Sequence, residues 1–201
     1  SEYPRHYYRQ ADAEETTADD DVKGPGQQVQ PTEQLANAQV ALQEQHLTFA
    51  ENQKGVSYDL LFGEYLSGAR EIIITDPYIR SFYQIRNLME LMETLVRHKD
   101  EDVEVSVHLV TSKDAYNDDK QDENLTRIRQ TCHTVGIHLN WEYNDTIHAR
   151  HIVTDHGWKI SLDRGLDIFQ RYEMNDAFDF ANRLQYYRAC KMFEVTYLRS
   201  Q

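Results

Sequence analysis

The chain has 201 residues, 34 Asp and Glu against 21 Lys and Arg, and a net charge of −13. That length suits one substantial domain, and that charge excludes a protein that coats nucleic acid or an anionic membrane over its whole surface, so any anion site must be local. Cys132 and Cys190 lack metal-type spacing and fit a reduced, cytoplasmic setting, and no apolar run approaches the roughly eighteen residues of a membrane span.

Residues 1–34 hold no periodic apolar pattern and are rich in Asp, Glu, Gln and Thr, with Asp19-Asp20-Asp21 followed by Gly24-Pro25-Gly26. They read as a disordered acidic linker, because they cannot bury enough apolar surface to offset the entropy of ordering. The chain starts at Ser1 inside this polar stretch, which points to a fragment of a longer protein. Residues 35–54 read as a spacer helix, with Leu35, Ala38, Val40, Leu42, Leu47 and Phe49 and no Gly or Pro up to residue 51. The folded domain is expected over 55–201.

Within that domain Ser57 caps a predicted helix over 58–66, ended by Gly68. Glu71-Ile-Ile-Ile-Thr75 is a continuous apolar run, which suits a strand buried on both faces, and Asp76-Pro77 stops it. A long helix over 81–99 places Ile85, Leu88, Met89, Met92, Leu95 and Val96 at helical spacing. A strand over 104–110, a polar loop over 111–122, a helix over 123–135 with Gly136 as its cap, and a strand over 137–143 follow. This alternation predicts an α/β fold that starts as βαβαβ with a parallel sheet. An antiparallel hairpin comes next, 147–154 and 158–162 around Asp155-His156-Gly157, then loop and short helix, then a last strand over 191–198.

The hairpin carries the chemistry. On a strand His148, Arg150, Ile152 and Thr154 share one face, so an imidazole and a guanidinium become neighbours. Histidine supplies an acid or nucleophile near neutrality, and arginine a fixed bidentate charge for phosphate oxygens. Lys159 and Arg164 stand just downstream, and Gly165, beside Asp167, allows close backbone approach. Asp76 and Arg80, in Asp76-Pro77-Tyr78-Ile79-Arg80, flank the carboxyl end of a parallel strand, where ligands bind in α/β sheets. The competing reading is a polar network in which His148 and Arg150 merely hold Asp167, Asp163 or Asp76. His151 and His156 read as packing and turn residues, and the spacing of histidines and carboxylates suggests neither a metal site nor a cofactor.

Residues 55–198 resemble the phospholipase-D-like domain found behind an MIT domain. The residues that carry the resemblance are Gly55-Val56-Ser57-Tyr58, Leu61-Phe62, Tyr65-Leu66 and Asp76-Pro77-Tyr78-Ile79-Arg80. With them stand His108-Leu109-Val110-Thr111-Ser112, Ile147-His148 with Arg150, Gly157-Trp158, Arg164-Gly165-Leu166-Asp167 and Phe169. The chain is also similar to the C-terminal extension of Lon-related AAA+ proteins of the phage-exclusion type, which implies an ATPase region ahead of Ser1. The resemblance implies a mixed sheet flanked by helices, a homodimer, and binding of acidic phospholipid or nucleic-acid phosphate through Arg150, Lys159, Arg164, Asp167, Asp76 and Arg80. It puts the phospholipase D His on His148, the Lys on Arg150 and the Asp on Asp155. The Lys-to-Arg change implies that catalysis is lost. Two alternatives stay open: a dimeric phosphodiesterase or nuclease in which His148 attacks phosphorus, and a purely structural assembly module.

Overall fold

The computed structural model describes residues 42–201, and the linker expected over 1–34 lies outside the described residues. Strands β1 (Gln45–Phe49), β2 (Glu71–Thr75), β3 (Val105–Thr111), β4 (Ile137–Tyr143), β5 (His151–Thr154), β6 (Trp158–Leu162) and β7 (Phe193–Arg199) form one sheet in the order β1-β7-β6-β5-β2-β3-β4. β2, β3 and β4 are parallel; the other pairings are antiparallel. The expected α/β mixed sheet is therefore present, and its parallel-to-antiparallel switch falls between β2 and β5.

Helix α1 (Tyr58–Leu66) begins at Ser57, whose Oγ accepts from the N–H of Leu60. Helix α2 (Phe82–His98) begins with a capping box formed by Ser81 and Gln84. Helix α3 (Asp118–His133) starts five residues earlier than its apolar spacing predicts. Its first turn carries Asp118 and Asp119, which suit a helix N-terminus, and buried Gln121 donates to the carbonyls of Ile79 and Ser112. A short α4 (Phe180–Arg183) and a 3₁₀ turn (Gln185–Tyr187) complete the chain.

Two expectations need correction. The spacer helix fails at 45–49, which is an edge strand paired with β7, and residues 35–41 lie outside the described residues. The alternation of Leu47 and Phe49 with exposed His46 and Thr48 has period two, and Phe49 stacks on Phe193 at 4.6 Å. The ordered domain thus starts before Gly55. The second correction concerns β2, which is not buried on both faces: Ile72 and Ile74 face the core, while Ile73 is 45 % exposed.

The whole sheet repeats that asymmetry. Ile74, Leu109, Leu139, Ile152, Ile160 and Val195 all point to the buried side. The row His46, Thr196, Ser161, His151, Thr75, Val110 and Glu142 runs across all seven strands on the opposite side, where each is at least partly exposed. Among the described residues no helix is long and apolar enough to cross a membrane.

Candidate functional site

The carboxyl end of β2 gathers most of the residues singled out from the sequence. Asp76 follows the strand and is 2 % exposed. Its Oδ1 accepts from the Tyr78 N–H at 2.9 Å and its Oδ2 from the Leu166 N–H at 3.1 Å. The second bond requires the 163–167 loop to lie against Asp76. Gly165 permits this, since its φ is +60° and a Cβ there would overlap the Asp76 carboxylate. Burial pushes the Asp76 carboxyl above its ordinary value. The two N–H donors and Arg150 pull it back, and Asp167 raises it further.

Arg150 is fixed from two sides. Its Nη1 donates to the Asp163 carbonyl at 2.8 Å, and its guanidinium lies 4.6 Å from the Tyr78 ring centre. Arg80 contributes a second guanidinium 5.2 Å from the same ring. Tyr78 is thus a partly exposed aromatic platform shared by two cations. Its role went unread in the sequence, although Asp76-Pro77-Tyr78-Ile79-Arg80 contains the signal: a strand stop, then an aromatic two residues from a cation. Nearby, Lys191 pairs with Asp167 at 2.9 Å, and Arg164 Nε donates to the Met192 carbonyl at 2.8 Å. The N-terminus of α2 is not an open anion site here. Gln84 Oε1 accepts from the N–H groups of Arg80 and Ser81, and Gln84's own N–H goes to Ser81 Oγ.

The predicted hairpin face does not survive intact. β5 starts at His151, so His148 and Arg150 stand on the segment before the strand. The cause is the lack of partners: β6 ends at Leu162, which donates to the Arg150 carbonyl, and the chain then turns away through 163–166. His148 is exposed. Asp155 lies at the other end of β5, at the hairpin turn, where its Oδ1 accepts from the Arg70 N–H at 3.0 Å. Four strand residues separate it from Arg150, a span of roughly 15 Å. Lys159 also lies away from the cluster, on the open sheet face opposite Val153 and Leu198. Asp76, Arg80, Arg150, Arg164 and Asp167 therefore share one end of the sheet, and Lys159 and Asp155 do not. His156 is a turn residue as expected, bonded to Thr154 Oγ1 and the Ser67 carbonyl.

The coupling between Arg150 and Asp76 is directly measurable. Replacing Arg150 by Met should raise the Asp76 carboxyl further, because a cation that favours its charged form is gone. Carbon-13 titration of the Asp76 carboxyl reads this; an unchanged midpoint would mean that the two groups do not sense each other. The sign for stability also follows. A carboxyl raised in the folded state holds its proton more tightly there than in the unfolded chain. Its contribution to stability therefore falls as pH rises from the ordinary carboxylate range through the folded value.

Comparison with known proteins agrees with this architecture. The family model for the phospholipase D-like domain at the C-terminus of MIT matches residues 55–199. MIT domain-containing protein 1 of Mus musculus is 37 % identical over 123 residues, covering 60 % of this chain and 49 % of the relative. The chain thus spans about half the length of that relative. Strand β1 precedes the matched stretch yet belongs to the same sheet. With the mixed sheet, the Asp76–Arg150 end of β2 and this match together, the chain belongs to the family of phospholipase D-like domains found at the C-terminus of MIT.

Proposed function

We propose that this domain is a non-catalytic recognition module that holds a phosphate-bearing ligand at the carboxyl end of β2. The observation that carries the reading is the pair of guanidiniums, Arg80 and Arg150, gathered on the exposed Tyr78 ring of a chain whose net charge is −13. Such a pair offers bidentate, charge-assisted donors to phosphate oxygens, and Arg164 in the adjoining loop adds a third cation. Loss of catalysis is supported by Arg150, which stands where the phospholipase D signature has a lysine. The finer reading, a C-terminal module of a Lon-related ATPase, rests on the sequence resemblance alone.

The test is binding of three probes to the full chain at several salt concentrations: inorganic phosphate, vesicles containing phosphatidylserine, and a single-stranded oligonucleotide. The last two arms separate a lipid source of phosphate from a nucleic-acid one. Arg150→Met should weaken the phosphate interaction about tenfold or more, the usual worth of a hydrogen bond from a charged donor. His148→Ala should leave it intact. Hydrolysis of bis(p-nitrophenyl) phosphate that disappears in His148→Ala would overturn the non-catalytic reading in favour of a dimeric phosphodiesterase. Binding that ignores Arg80 and Arg150 would remove the site altogether.

A further inference from the structure

The helix layer contains a groove whose charge is the reverse of the chain's overall balance. It lies between α2 and α3, the crossovers into and out of β3, and holds a cavity of about 280 Å³. Ile85, Met89 and Ile128 line it, Phe82 borders it at 63 % exposure, and Arg86 and Arg127 supply its charge. Its lining includes no carboxylate, on a chain that has 34 Asp and Glu.

The two guanidiniums have donors to spare. Arg86 Nη2 donates to the Asn182 carbonyl and Oδ1, which fixes the side chain and leaves Nε and Nη1 without an acceptor among the described residues. Arg127 is exposed and has no ion-pair partner among the described residues. A slot of this size is small for a cofactor and suited to one apolar side chain, and the cations beside it call for carboxylates next to that side chain.

The chain itself contains that pattern, outside the described residues. In residues 1–41 eight Asp and Glu outnumber three Lys and Arg, and the run Asp19-Asp20-Asp21 leads directly into Val22. The other large apolar side chains there suit the groove less well. Tyr7 and Tyr8 lie between Arg5 and Arg9, and Leu35 has a single acid, Glu33, beside it.

We infer that the occupant of the groove is the Asp19–Val22 segment of the same chain, docked in cis. Val22 enters the slot, and the aspartates meet Arg127 and Arg86. Length agrees with this assignment. The described chain begins beside β1, five strand spacings from β3, or roughly 24 Å across the sheet. A linker of about twenty residues, the separation of Val22 from Leu42, has a root-mean-square reach of about 25 Å and an extended limit of roughly 65 Å. A tether of that length gives an effective concentration in the millimolar range, so docking too weak for a separate peptide still fills the groove. An acidic segment of any other protein must displace this one to bind there. None of these residues belongs to the phosphate site, so the two proposals stand or fall separately.

Nuclear magnetic resonance of the full chain tests the inference from both ends. Arg127→Glu should move the backbone amide signals of Asp19–Val22, more than a hundred positions away in sequence. The triple variant Asp19→Asn/Asp20→Asn/Asp21→Asn should move the side-chain methyl signals of Met89 and Ile128. Arg127→Glu should lower the docking constant about tenfold or more, as loss of a charged hydrogen-bond donor does. Arg129→Glu makes the same charge change on α3 beside the Trp141 ring, outside the groove, and should leave the Asp19–Val22 amides where they are. The wild-type positions should not change between about 20 μM and 1 mM protein, because a tethered partner is present at a fixed local concentration. Amides that ignore Arg127→Glu, or that respond equally to Arg129→Glu, overturn the inference. Signals that move with protein concentration overturn it as well, in favour of docking between chains.

Discussion

Replacing Arg188 by Met should cost the domain about 3–5 kcal/mol, the usual penalty for stripping one partner from a buried ion pair. The Arg188 side chain is 1 % exposed and its Nη1 donates to Glu90 Oε1 at 2.8 Å. Its Nε and Nη2 donate to the carbonyls of Ala181 and Asn182, and the guanidinium lies 3.9 Å from the Tyr172 ring centre. This one side chain fastens the long segment between β6 and β7 onto α2. Without it, Glu90 keeps a charge with little water and loses its ion-pair partner, the Ala181 carbonyl loses its donor, and the Asn182 carbonyl is left with Arg86. Urea denaturation measures the effect as a lower midpoint at constant slope. The double variant Glu90→Leu/Arg188→Met should lose less than the two single losses combined, because the uncompensated charge is removed with its partner. A single-variant loss below about 1 kcal/mol would show that water or a neighbouring cation replaces the pair.

Gly165→Ala is the second large effect. The backbone at 165 has φ +60°, which costs a residue with a Cβ about 1–2 kcal/mol. The added methyl would also overlap Asp76 Oδ2 and approach Arg150 Cδ, adding about 1–3 kcal/mol of overpacking. Gly68→Ala is the control: its φ is +81°, but a Cβ there meets nothing within 4 Å, so only the backbone cost applies. The two variants should differ by the steric part. Gly165→Ala should also weaken phosphate binding, because the loop that positions Arg150 through the Asp163 carbonyl must move. Equal denaturation midpoints for both variants would mean that Asp76 yields without cost.

Elements with a strong local signature were legible in advance. Ser57 and Ser81 start their helices, and the apolar spacing of α2 and the alternation in β3 match what formed. The site was legible only where one short segment contains both the strand stop and the cation, as in Asp76 to Arg80. It failed where the answer depends on partners remote in sequence. His-x-Arg-x4-Asp reads as one constellation along the chain, yet β5 runs between Arg150 and Asp155 and delivers them to opposite ends of the sheet. Lys159 shows the same difficulty: its nearness in sequence says nothing about which side of β6 it occupies relative to Gly165. The strand at 45–49 was missed because five residues with two apolar positions fit either period until β7 is there to pair with them.

What the sequence by itself determined is therefore the elements from α1 to β7, their order and the acidic balance, since caps, glycines and apolar periods act over a few residues. Tertiary structure alone decided that one face of the sheet stays open, that Tyr78 serves two arginines, and that Arg188 ends beside Glu90. Those outcomes depend on contacts between segments tens of residues apart, and burial and pairing energies there exceed any local preference.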